Sequence, residues 1–569
     1  MTLFQFLLYY IFLYNIYKLN MFFINMIKLM FVFLFVFGFI KVFSSEMDEH
    51  AFKQADQALI NQQNSVHASV KFINRLQNQP VPSLFTLPEI SDDIPFDFFN
   101  NKDIVLNGDN ILSASEKKRL LKPYINRKLS AKDMKNLLKD CRNFYLNKGF
   151  ITTRVWIPKQ NKSSSVLQVK VQMGRVTDIL ITNQKGWYIK NSLLFKKNDV
   201  LNIRDIEQSL ANLNRLSSQS YQVYLSPDSS QLGGSIVRLQ NSPVSFVSGL
   251  ISYTKPLNKS LYPDQLLLSV DQLIGIQDQW QLSLSQHTSA VSQYLLSGLS
   301  ITFPFKRLLI TTSVRYFKHT SLMQSVGQRY FHYFNAYQIN SAEAKWQFFS
   351  LPKLSLLGHI SYQNKEKSRY LENTFLTQQH QLLNVLNTGV LLTFRLASSE
   401  LTFNPQYRIG SMDFPSVENN NLNTAYFTLW HGSVSYKSYF NIFNNRLGYE
   451  LYGYGFYSKT QLNATEQFSL GDQYTVRGFD GFIQGDKGYN FKMGLFKNIH
   501  YLLNPKIFIE GGKVFNIQQD NALFVLSGVL ENSMQIKNIS LNISYSKALK
   551  LSNALNKEGQ LAFRGDITF

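Results

Sequence analysis

The residues whose types and spacing could do chemistry lie in GDQYTVRGFDGFIQGDKGYN (471–490), where five glycines punctuate twenty residues around one arginine, Arg477. The glycines permit tight turns. An arginine held there away from water needs a carboxylate and good hydrogen-bond geometry, or it costs several kcal/mol. Held outside, it is an ordinary solvated loop arginine.

Nothing in the chain points to catalysis. The sequence holds no G-x-x-x-x-G-K-[ST] phosphate loop, no H-E-x-x-H, no G-x-S-x-G elbow and no dinucleotide glycine pattern. Its nine histidines are dispersed, and its single cysteine, Cys141, excludes an intrachain disulfide and a cysteine-cluster metal site. No catalytic residue, metal or cofactor is therefore expected, and the chain does not read as an enzyme. The net charge is +21, but the Lys and Arg residues are scattered, which argues against nucleic-acid binding.

The elements that must position Arg477 begin with an apolar leader. Residues 22–43, FFINMIKLMFVFLFVFGFIKVF, precede the polar SSEMDEH. From Met26 they read as a signal peptide, with Lys28 as the positive region, Leu29–Ile40 as the apolar region and Val42-Phe43-Ser44 as the cleavage pattern. A signal peptide is thus expected over 1–45, with Met21 or Met26 as alternative starts; a membrane anchor is the rival reading, since the stretch is long enough to span. Residues 46–79 are Gln/Asn-rich with sparse apolar positions, and Pro80, Pro82, Pro88 and Pro95 make an extended linker. By itself the segment reads as a low-complexity surface helix.

Two small α+β modules follow, at 94–173 and 174–242. In the first, a strand near Ile104–Leu106 precedes Ser113-Ala-Ser-Glu116 and Ser130-Ala-Lys-Asp133, both capping-box patterns. The second helix carries a stripe of Met134, Leu137, Leu138, Cys141, Phe144 and Tyr145 and stops at Lys148-Gly149. Strands at Ile151–Ile157 and Val166–Gln172 close the module. The second module repeats the plan: a strand at Arg175–Ile181, a helix opened by Asn202 with Ile203, Ile206, Leu210 and Leu213 on one face, then strands at Tyr221–Leu225 and Ser235–Leu239.

From 243 to 569 the apolar period becomes two. Leu266, Leu268 and Val270 alternate with Leu267, Ser269 and Asp271; Trp280, Leu282 and Leu284 alternate with Gln281, Ser283 and Ser285. The same holds for Leu308, Ile310, Val314 and Tyr316, for Ile539, Leu541, Ile543 and Tyr545, and for the final LAFRGDITF. Such alternation puts one face against lipid or core and the other against water. Sustained to the end of an aromatic-rich exported chain, it predicts a closed outer-membrane barrel, because an open sheet edge is not tolerated in lipid. A secreted β-sandwich is the soluble alternative.

Three features together resemble the two-partner-secretion transporters, the haemolysin and filamentous-haemagglutinin secretion/activation family: the polar helix with its Pro linker, the two modules, and Val476-Arg477-Gly478-Phe479 late in the barrel. TVRGF (475–479) is the most specific marker, being a hallmark of the sixth extracellular loop in that family and in the related barrel-assembly insertases. YLNKGFITTRVWIP (145–158) and LQVKVQMGRV (167–176) resemble the end of the first POTRA domain and the hinge into the second. The resemblance covers essentially the whole chain after the leader.

It implies an all-β transmembrane barrel of about sixteen strands, preceded by two periplasmic POTRA domains and a plug helix (46–93 with its linker). It also implies that the loop folds into the lumen and that Arg477 pairs with an acid in an F-x-D-x-G strand motif. Phe508, Glu510 and Gly512 occupy that motif here, with Glu where Asp is usual. The function so implied is secretion of one large partner exoprotein, β-helical and of haemolysin or adhesin type, through a monomeric barrel in outer-membrane lipid of a Gram-negative bacterium. An insertase that folds other barrels is the alternative, disfavoured by two modules and a plug. A passive porin leaves the periplasmic modules unexplained.

Overall fold

The computed structural model describes residues 98–568, apart from short segments at 162–163, 183–188, 244, 257–263, 289–291, 325–329, 352, 416–421, 443–444, 472–474, 480–482, 498, 500–502, 518–521, 537–538 and 553–558. The signal peptide and plug helix expected over 1–93 lie outside the described residues.

In the first module, helix α1 (Ala114–Leu121) starts where Ser113 Oγ accepts from the Glu116 amide and Glu116 returns a carboxylate to the Ser113 amide at 3.0 Å. Helix α2 (Ala131–Asn147) opens the same way, with Ser130 and Asp133. These reciprocal bonds satisfy helix N–H groups that have no partner within the helix. Helix α2 buries Met134, Leu137, Leu138, Cys141 and Tyr145 on one stripe, sharing a core with Leu167, Val169 and Val171. It stops at Gly149, whose φ of +92° is left-handed backbone that suits glycine. The sheet runs Asp103–Asn107, Val166–Gln172, Arg154–Trp156. A feature absent from the sequence reading is a second, two-stranded sheet pairing Phe98–Asn101 with Arg127–Ser130. Its strands are only four residues each, too short for a visible alternation.

The second module pairs Arg175–Thr182 in parallel with Gly234–Asn241, which in turn pairs with Tyr221–Pro227. Helix α3 (Ile203–Leu213), capped by Asn202, packs Ile206 against Val176 and Val237. The modules abut: the Ile203 amide donates to Gly149 O at 2.9 Å and Asn202 Nδ2 to Lys148 O at 3.2 Å. The second module is also bonded to two turns at one end of the barrel. Asn212 Nδ2 donates to Lys306 O (2.6 Å), Arg307 pairs with Asp205 (2.8 Å), the Ser218 amide donates to Asp271 (3.0 Å) and Arg215 donates to Gln277 O.

The barrel closes through sixteen strands, from Val247–Pro256 to Gln560–Thr568, which pair with each other. Its burial is inside out. Gln265, Ser269, Gln281, Ser283 and Ser285 are buried on the lumen face, while Val314, Tyr316, Ile360, Tyr362, Trp430, Ile507 and Ile509 are exposed on the outer face. A water-soluble sheet reverses this pattern, so the outer solvent must be lipid. Exposed Phe305 and Trp346, the latter opposite Leu308, mark the rim that meets the second module. Strand lengths are uneven. The seven long strands between Leu308 and Ser458 run 14 to 21 residues, while the first three strands and the last five run 8 to 14.

Candidate functional site

The segment between strands Asn445–Ser458 and Lys487–Phe496 folds back into the barrel as a hairpin, Phe468–Leu470 paired with Ile483–Gly485. Its apolar side chains drive this. Leu470, Val476, Phe479 and Ile483 are fully covered, sharing a cluster with Leu383, Val385, Phe427 and Leu429 on one part of the wall and Val514, Val525 and Ala548 on another. Burial of four such side chains is worth roughly 1.5–3 kcal/mol each, enough to hold the hairpin down.

Arg477 emerges from this seat toward the wall. Its Nη2 lies 2.5 Å from Glu510 Oε1, and its Nε and backbone amide both lie 3.2 Å from Glu510 Oε2. Its Nη1 reaches a second carboxylate, Glu531 Oε2, at 3.2 Å. The guanidinium thus forks across two adjacent strands, Asn504–Phe515 and Leu523–Ile536. Glu531 is held from its other oxygen by Lys506 at 2.8 Å and Asn542 at 3.1 Å. Side-chain exposure is 12% for Arg477, 3% for Glu510 and 10% for Glu531, so the pair is shielded and its bonds are stronger than surface ones.

The flanking motif residues set the distance. Gly478 has φ +94°, and a Cβ there would meet the Lys547 backbone nitrogen at 2.8 Å. Its carbonyl accepts from the Ala548 amide at 2.8 Å, next to a bulge where the pairing of Leu526 and Ser527 skips Leu549. Gln560 brackets the turn, accepting from the Gly478 amide (3.3 Å) and donating to Phe479 O (2.7 Å). Phe508, Glu510 and Gly512 share the lumen face. Gly512 makes room for Leu470, whose Cδ1 would stand 2.6 Å from a Cβ at that position. Phe508 lies over Gly494 with Lys492 Nζ 3.9 Å above its ring.

The structure therefore brings Val476, Arg477, Gly478 and Phe479 together with Phe508, Glu510 and Gly512. Sequence reasoning missed Glu531, Lys506, Gln560 and the Ala548 amide. Glu531 was reachable by alternation, standing two residues after Val529 and four after Ser527 on the same face. Among the described residues no group of three or more His, Cys, Asp or Glu could hold a metal ion.

Comparison with known proteins identifies this assembly. Residues 233–532 match the family Haemolysin secretion/activation protein ShlB/FhaC/HecB, residues 99–174 the ShlB-type POTRA domain, and residues 175–227 a further POTRA domain. The outer membrane transporter CdiB of Dickeya dadantii is 26% identical over 506 residues, covering 84% of each chain. The hemolysin transporter protein ShlB of Serratia marcescens is 24% identical over 481 residues, covering 78% of this chain and 81% of that one. The solved structure of CdiB from Escherichia coli matches with a TM-score of 0.77 at 20% identity, over 93% of this chain and all of the other, which shows the fold. Barrel, modules and lumenal loop thus have one explanation: the chain belongs to the ShlB/FhaC/HecB family of two-partner-secretion transporters, placed in the outer membrane of a Gram-negative bacterium with its POTRA domains in the periplasm.

Proposed function

We propose that the chain recognises one large exoprotein, β-helical and of haemolysin or adhesin type, and passes it unfolded through a monomeric barrel to the cell surface. The observation that carries this reading is Arg477, forked between Glu510 and Glu531 inside the lumen at the end of an apolar loop seat. A loop of this kind lies along the path a client must take, and in its docked position it shapes the passage that guides the client, so a loop that cannot dock leaves the lumen open to ions but fails to carry the client. Ion pairs suit that role because both halves can be rehydrated in a water-filled lumen when the loop moves.

Capture precedes passage. Arg154–Trp156 and Tyr221–Pro227 are edge strands of the two module sheets, and an extended client segment adds to such edges through backbone hydrogen bonds. Residues 94–173 and 174–242 act as the two receiving modules, and 46–79 is the plug that vacates the lumen. The outer membrane has no nucleotide supply, so binding and folding of the client outside supply the drive.

The test is secretion of the cognate exoprotein with Arg477→Ala. The expected result is little or no exported client while the barrel inserts at near-normal levels. Normal secretion by that variant returns Arg477 to a solvated loop arginine.

A further inference from the structure

We infer that Glu466 is a second positioning residue of the same loop, clasping the far wall, so that the loop is strapped across the lumen by two ion clusters of opposite sign. The inference rests on the reading of this loop as the element that sets the lumen's state.

The chain leaving strand Asn445–Ser458 turns at Asn463. Asn463 Oδ1 accepts from the Thr465 amide at 3.0 Å and its hydroxyl at 2.9 Å, while Asn463 O accepts from the Glu466 amide at 2.8 Å. This turn drives Glu466 into the wall, with none of its side chain exposed. One carboxylate oxygen lies 2.5 Å from Lys365 Nζ and the other 2.9 Å from Arg408 Nη1. Asn463 Nδ2 adds a contact to Gln381, on the strand between those two.

Lys365 and Arg408 stand on strands Leu354–Leu371 and Ser399–Pro415. Arg477 is held by strands Asn504–Phe515 and Leu523–Ile536. Around the ring of sixteen, the nearest strands of the two clasps, Ser399–Pro415 and Asn504–Phe515, are four steps apart and the farthest, Leu354–Leu371 and Leu523–Ile536, seven, so the loop spans well-separated arcs of the wall. Between the clasps lie Leu470, Val476, Phe479 and Ile483, in an apolar cluster that touches both parts of the wall.

The polarity has a consequence. At one end the loop brings the anion and the wall the cations; at the other the loop brings the cation and the wall the anions. A stretch of client carrying one sign of charge competes for only one end, so release of Arg477 alone leaves the loop tethered at Glu466. A buried carboxylate between two cations is poor evidence of added stability, but its two short contacts to Lys365 and Arg408 define its position. Here that position is the loop's path across the lumen.

Single-channel recording of the purified full chain in planar bilayers, without client, tests this. Glu466→Gln removes the charge at constant shape. It should raise the fraction of time in the high-conductance level about tenfold or more, because a charge-assisted hydrogen bond contributes at least that factor. Glu466→Gln with Arg477→Ala should exceed either alone. Exchanging the charges, Glu466→Lys with Lys365→Glu and with Arg408→Gln to remove the second cation that would repel the new lysine, should restore wild-type occupancy, which a merely structural glutamate would not allow. If Glu466→Gln does not insert, Arg408→Gln, which leaves Lys365 on the carboxylate, is read in its place. Wild-type occupancy in the neutral variant, or no restoration by the exchange, overturns the second clasp. Failure of the wild-type chain to export any client overturns the secretion reading and leaves the bilayer result standing.

Discussion

Removing the Arg477 guanidinium should release the loop by an amount the geometry fixes. Three side-chain bonds are lost, two to Glu510 and one to Glu531, together with the neutralisation of a carboxylate whose side chain is 3% exposed. Breaking a buried pair by deleting one partner costs roughly 3–5 kcal/mol. Two features reduce this. Glu531 keeps Lys506 and Asn542, and Lys492, directly opposite Glu510 in the strand register, can swing from Glu450 to cover it. The lower end, about 3 kcal/mol, is therefore expected, a factor of roughly 100 in loop opening. Hydrogen exchange read by mass spectrometry on peptides spanning 475–479 and Ala548 measures that factor, because the Ala548 amide donates to Gly478 O only while the loop is docked. Glu510→Ala leaves Arg477 on Glu531 and should open the loop less, by roughly 30-fold or about 2 kcal/mol. The double variant should fall well short of the product of the two, as for residues that act as a unit. Glu510→Asp, one methylene shorter, should lose protection only slightly. Equal exchange in wild type and Arg477→Ala, or strict additivity, refutes the pairing as the loop's anchor.

Three further outcomes are expected. Gly478→Ala should impair secretion nearly as much as Arg477→Ala, because φ +94° and a Cβ 2.8 Å from the Lys547 nitrogen leave alanine no place; normal secretion refutes the close approach. Residues 94–242 should fold alone and lose stability in acid. Hydrogen bonding to Lys148 holds Glu116 at about 2, and hydrogen bonding to Ser130 holds Asp133 below the ordinary carboxylate range. Their contribution is complete above the unfolded carboxylate range and disappears as pH falls from there toward 2, so the urea midpoint should drop over that interval and drop less in Glu116→Gln. Deleting 46–79 should raise single-channel conductance in planar bilayers without unfolding the barrel; unchanged conductance assigns the segment to the periplasm.

What the sequence made legible was whatever is decided locally. Ser113 with Glu116 and Ser130 with Asp133 are three residues apart, so their caps could be read directly and are present. The period-two runs revealed the barrel, because each strand alternates whatever its partner. Leu267 shows the limit: it stands in phase with Ser269 and is buried inside among polar neighbours. What could not be read was which charges meet. Lys365 and Glu466 are 101 positions apart, and Arg477 and Glu531 are 54 apart. Their contact depends on register summed over many hairpins and on a loop that folds inward. The motif TVRGF announced one clasp through resemblance; nothing in the residues around Glu466 announced the other.

The uneven strands give the mouth of the barrel a lopsided parapet. Tyr330–Ser350 and Leu422–Ile442 are 21 residues long, about 70 Å of extended chain at 3.3 Å per residue. Tilted as barrel strands are, they stand about 50 Å tall against an apolar band of about 25 Å. The strands that bring the chain back to its start are 9 and 10 residues long, about 23 Å tall at the same tilt. A polypeptide leaving along the axis thus passes long strands on one side and short ones on the other. On the secretion reading proposed above, the client's first emerging segment therefore stands beside a tall sheet face that shields one side of it.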